Sequence, residues 1–109
     1  MTSVQKDDVL TVLDEILAVS ASMLDLAHAQ DWIGIANLEI TREALLKAVF
    51  EGTDRPSPEA LTAMVRQVLE SDRELIALGT QARGEFAAAL GQMRQARRAQ
   101  AAYSETGGE

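Results

Sequence analysis

The sequence predicts an all-α fold: an antiparallel bundle of three to four helices with a long third helix and a C-terminal helical tail. Three observations carry this prediction. Apolar residues recur at intervals of three and four along most of the chain, the period of a helix with one buried face. Turn signals cluster at only two places, "HAQD" and "EGTDRPS", leaving the intervening segments long enough for helices. After Pro58 no proline remains to stop a helix. With 109 residues the chain amounts to one helical domain over 1–109, with helices at about 4–29, 32–50 and 58–93 and a C-terminal segment 94–103. A chain of this length buries a modest core but does not enclose a large cofactor pocket.

Helix one reads from about Val4 to Ala29. Columns seven apart are apolar: Val9/Ile16/Met23, Leu10/Leu17/Leu24 and Val12/Val19/Leu26. Together with Leu13 and Ala27 they fill an arc of roughly 160° at about 100° per residue, with Asp8, Thr11, Asp14 and Glu15 opposite. So broad an arc touches more than one neighbour. "HAQD" then breaks the pattern, and Asp31 offers a carboxylate to the unpaired amides of the next first turn.

Helix two, "WIGIANLEITREALLKAVF", opens on Trp32, read here as a core anchor, and carries Ile35, Leu38, Leu45, Leu46, Val49 and Phe50 on the same face. Gly52 supplies the stop. Glu39, Arg42 and Glu43 fall inside that arc, and a buried charge without a partner costs several kcal/mol. The next helix offers one. Ser57 caps it, Pro58 takes its first position, and its face of Leu61, Val65, Val68, Leu75, Phe86 and Leu90 is interrupted at the centre by Asp72. The spacing predicts a polar cluster of Glu39, Arg42 and Asp72 inside the bundle, with Arg42 meeting Asp72 or Glu39.

Helix three continues toward Tyr103, although Gly79, Gly84 and Gly91 each weaken it by about 1 kcal/mol relative to alanine, so a kink or break there stays open. At 1.5 Å per residue the helices span about 39 Å, about 28 Å and, unbroken, over about 60 Å. The third outruns its neighbours. Its last part, with Phe86, Leu90 and Met93, lacks an intramolecular partner unless the tail folds back or a second chain covers it.

Composition narrows the chemistry. There is no cysteine, hence no disulfide framework or thiolate metal site, and one histidine, His28, without companions at ligand or catalytic spacing. No metal, no cofactor and no enzymatic activity are expected; His28 reads as a helix-end residue complementing the dipole. The net charge is −7, with four Lys/Arg against eleven Asp/Glu over residues 1–60 and six of each over 61–109. That balance disfavours unspecific attraction to DNA, and Arg94, Arg97 and Arg98 are too few to hold it directly. No apolar run is long enough to cross a bilayer and the N-terminus lacks a signal-peptide pattern, so a cytoplasmic protein with protein partners is expected. Val65, Leu69 and Ile76 form a column at the edge of helix three's apolar arc. It fits ordinary packing against helix one and a groove for a partner helix equally well. Arg94, Arg97 and Arg98 likewise fit a solvated helix end.

Three stretches in order carry a family likeness: "SASMLDLAHAQDWIGIANLEITREALLKAVF", "VRQVLESDRELIALGTQARGEF" and "RRAQAAYSETGG". Over about Ser20 to Gly108 the chain resembles the FliT-type flagellar proteins, with "MLDLAxxxDW" and "AAYxxxGG" the more telling pieces. The resemblance implies a cytoplasmic chaperone of flagellar type III export. Such a chaperone holds the filament-cap protein, delivers it to the export ATPase complex and, in some bacteria, restrains the flagellar master transcriptional activator. It also implies that the segment with Arg94, Arg97, Arg98, Ala102 and Tyr103 is an autoinhibitory lid over an apolar face containing Val65 and Leu69. On this reading Val65→Asp or Leu69→Asp abolishes client binding without unfolding the bundle. The alternative is a structural module that self-associates as a homodimer through Phe86, Leu90 and Met93.

Overall fold

A computed structural model describes the backbone of residues 2–107 and the side chains of residues 9–105. It contains three helices, α1 (Thr2–His28), α2 (Trp32–Glu51) and α3 (Pro58–Gly107), and no strand among the described residues. The chain divides into two compact units, Met1–Leu78 and Gly79–Glu109. The first holds α1, α2 and the start of α3; the second is the remainder of α3.

The α1–α2 connection is short because α1 ends in a Schellman motif. The Asp31 amide donates to the Leu26 carbonyl at 2.8 Å and the Gln30 amide to that of Ala27 at 3.0 Å, with Gln30 in the left-handed region at φ 60°. Asp31 follows at once as the cap of α2, its carboxylate accepting from the Gly34 amide at 2.9 Å. Gly34 makes room for this arrangement. A Cβ there would lie 2.8 Å from the Asp31 carboxylate and 3.0 Å from the Leu26 side chain. At the far end α2 runs to Glu51, and Gly52 caps it with extended backbone (φ −69°, ψ 159°), not the left-handed turn usual for a glycine stop. Its lack of a side chain still counts, since a Cβ would meet the Ala48 carbonyl oxygen at 2.6 Å. Ser57 accepts from the Ala60 amide at 3.2 Å, and Pro58 opens α3.

The first unit is an up-down-up bundle with two apolar layers. One joins Leu13 and Ile16 of α1, Val49 of α2, and Met64 and Val68 of α3. The other joins Met23 and Ala27 of α1 with Ile35 of α2, and Leu75 and Leu78 of α3 pack against it. Residue numbers rise from the first layer to the second in α1 and α3 and fall in α2, so α2 runs antiparallel to both.

Between the layers lies a polar one. Arg42, 7% exposed, donates from both terminal guanidinium nitrogens to the Asp72 carboxylate, at 2.9 and 3.3 Å, and from Nη1 at 3.1 Å to the Ser20 hydroxyl. Each helix contributes one member, spaced three to seven residues from buried or half-buried apolar residues on either side. Among the described residues no buried side-chain nitrogen or oxygen lacks a hydrogen-bond partner. Glu39, expected in this cluster, is exposed, and Ser20 occupies the third place. Trp32, expected as a core anchor, is 38% exposed. One geometric reason covers both. The inward column of α2 is Ile35, Arg42 and Val49, and Trp32 and Glu39 stand about 60° to one side of it.

α3 shows no break. It continues through Gly79, Gly84 and Gly91, so residues 94–103 belong to the same helix and form no separate tail segment. A Cβ at any of these three glycines would meet nothing within 4 Å.

Two stability measurements test this account. Gln30→Gly relieves a side chain from left-handed backbone and should stabilise the protein by about 1 kcal/mol in urea unfolding followed by helical circular dichroism. Asp72→Ala strands the Arg42 charge and should cost about 2–3 kcal/mol, below the usual figure for a buried pair because the Asp72 side chain is 34% exposed. The apolar triple Ser20→Ala/Arg42→Met/Asp72→Leu should recover that loss to within about 1 kcal/mol, since no charge is then left buried.

Candidate partner-binding site

The narrow inward column of α2 leaves apolar side chains on its flank. Phe50 stands about 100° around the helix from buried Val49 and is exposed. On α3, Leu69 stands in the same relation to buried Val68 and is 52% exposed. Together they line an open groove of about 600 Å³. Its apolar floor is Phe50, Leu61, Val65 and Leu69; Arg66, Glu70 and Arg73 of α3 also line it. A smaller hollow of about 230 Å³ lies by Val9, Val12, Val49 and the turn at Gly52–Asp54.

The structure distributes the sequence-derived contact residues unequally. Val65 and Leu69 line the groove, and Ile76, 65% exposed, continues their column one heptad further on. Val65 is half-buried and packs against the first apolar layer, so a charge there would disturb the fold as well as the groove. Leu69 is the cleaner probe. Phe86, Leu90 and Met93 belong to the second unit, where no described side chain is buried. Ala82, Phe86, Ala89, Met93 and Ala96 mark a stripe at alternating four- and three-residue steps, with Leu90 beside it, and Phe86 is 67% exposed. Arg94, Arg97, Arg98, Ala102 and Tyr103 are exposed along the same helix.

Sequence reasoning missed two features of the groove. Phe50 reads as core because it falls within the broad apolar arc of α2; only the position of Val49 turns it outward. The apolar periodicity gives no reason to single out Arg66 and Arg73, though their seven-residue spacing places them on one edge of α3 and could have flagged them.

His28, last in α1, lies 3.8 Å from Glu74 through Nε2, a long contact between two exposed side chains. Among the described residues no group of three or more His, Cys, Asp or Glu is placed to hold a metal ion. No helix formed by them is long and apolar enough to cross a membrane.

A family model described as flagellar protein FliT matches residues 10–105, from α1 through both units. The chain belongs to the FliT family. Membership supports a flagellar export chaperone at the level of the family, and the FliT family is a chaperone family, not an enzyme family. Comparison with curated proteins and with solved structures yields no match.

Apolar side chains that stand outside the core should be removable without loss of the fold. Leu69→Gln and Phe86→Gln should each cost less than about 1 kcal/mol in thermal or urea unfolding, whereas Met64→Gln, which introduces an amide at a site 2% exposed, should cost more than about 3 kcal/mol.

Proposed function

We propose that this chain is an export chaperone that holds the flagellar filament-cap protein before secretion, seating an amphipathic helix of that client on the Phe50–Leu69 groove. The observation that carries this reading is the pairing of family with surface: a FliT-family match over residues 10–105 and an open groove floored by Phe50, Leu61, Val65 and Leu69. Burial of apolar area contributes about 25 cal/mol per Å², opposed by the ordering of both partners, so a few anchor side chains decide the affinity. The same reading extends to the export ATPase complex and to the flagellar master transcriptional activator as further protein partners.

Regulation by residues 94–103 is part of this proposal. Those residues share one helix with Leu69, and Gly79, Gly84 and Gly91 are the weakest positions between them. Docking would bring Arg94, Arg97 and Arg98 towards Arg66 and Arg73, making the tail a poor occupant that a client displaces. Shortening the chain after Met93 then tightens client binding.

A second reading rests on the exposed Phe86, Leu90 and Met93 stripe, which suits pairing with another copy of the chain. Light scattering over a dilution series distinguishes it, since a dedicated dimer persists at low concentration and a monomeric chaperone stays at one mass.

Titration calorimetry with the filament-cap protein of the same bacterium tests the main reading. Leu69→Gln should weaken binding at least about tenfold, equivalent to about 1.4 kcal/mol, and truncation after Met93 should strengthen it. Unchanged affinity in Leu69→Gln would refute the groove, and unchanged affinity in the truncated chain would refute the lid.

A further inference from the structure

The charge lining the groove runs against the charge of the molecule. Residues 1–78 carry six Lys/Arg against fourteen Asp/Glu, a balance of −8, yet the α3 residues along the groove include Arg66 and Arg73 with Glu70 between them. Among the described residues neither arginine has an ion-pair partner within 4.0 Å; the ion pairs there are His28–Glu74 and Arg42–Asp72. Seven residues apart, the two project from the same edge of α3, beside the Val65–Leu69 floor.

We infer that the groove selects an amphipathic helix whose flank beside the apolar anchors is acidic, with carboxylates about two turns apart to meet Arg66 and Arg73. This rests on the groove being the client site, and it adds the chemistry by which one segment is preferred to another. Guanidinium groups suit the role because they accept carboxylates in bidentate geometry while their stems extend the apolar floor. The chain's own C-terminal segment, with Arg94, Arg97 and Arg98, is on this account the wrong sign for the groove. A client with an acidic flank therefore outcompetes it without needing a larger apolar face.

The inference is discriminating because the net charge of −7 predicts the opposite preference. The probes are two synthetic helical peptides of about 18 residues, five turns, with identical leucine faces and either glutamate or lysine at the flanking positions. Anisotropy titrations use the full chain at about 50 mM and about 500 mM salt, which separates screened contacts from apolar ones. The glutamate peptide should bind at least about threefold tighter at low salt, as two exposed ion pairs allow, and the gap should narrow at high salt. The double reversal Arg66→Glu/Arg73→Glu, at two exposed positions, should invert the preference while leaving thermal unfolding unchanged. Equal binding of the two peptides, or a lysine preference in the native chain, overturns the inference; if Leu69→Gln still removes binding of both, the groove itself stands. Binding insensitive to Leu69→Gln, or no binding of either peptide, overturns the groove and the inference together.

Discussion

The bundle depends on one buried charge that must be met from two other helices. Arg42 of α2 reaches Asp72 of α3 through two nitrogens and Ser20 of α1 through one of them, in a layer between two apolar clusters. Such a layer adds little net stability, because desolvating the charges offsets most of their attraction. Its effect is on alternatives. A slip of α2 by one turn would carry the guanidinium out of reach of Asp72 and into an apolar layer, where an unpaired charge is heavily penalised. Three helices with repetitive leucine, alanine and valine faces have many near-equivalent packings, and the polar layer separates the native one from the rest.

That alignment also sets what stays outside. With Ile35, Arg42 and Val49 held inward, a three-helix bundle of this width leaves the sides of α2 and α3 unsealed. Phe50 and Leu69 stand about 100° from their buried neighbours and meet at the groove. Ile33 and Ile40 lie on the outward side of α2, both largely exposed. The exposed apolar surface of α2 and α3 is thus a consequence of how few residues the core can absorb.

The helices and their ends were largely legible in the sequence, because local chemistry decides them. Asp31 and Ser57 accept from amides three residues on, wherever the helices they cap are placed, and Pro58 suits a first turn in any context. The need for a partner to Arg42 was legible too, since a charge in an apolar arc requires one. Other features were not. Gln30 occupies a left-handed position without the glycine or asparagine that would announce it, and Gly52 caps α2 with extended backbone that other residues also adopt. The separation of α3 from a tail segment at residue 93 had no local basis, and its glycines lie in open space where nothing forces a bend.

Periodicity, caps and the misplaced arginine thus specify three helices, their order and the requirement for a buried ion pair, because each of these follows from interactions within a few residues or from a charge that cannot remain alone. Which carboxylate answers Arg42, why Ser20 joins it and Glu39 does not, and which apolar residues stay outside the core depend on the rotation of each helix about its axis. That rotation is a few tens of degrees, smaller than the breadth of the apolar arcs written in the sequence. It is set only when three helices pack at once, each residue's inward or outward position being fixed by neighbours far away along the chain.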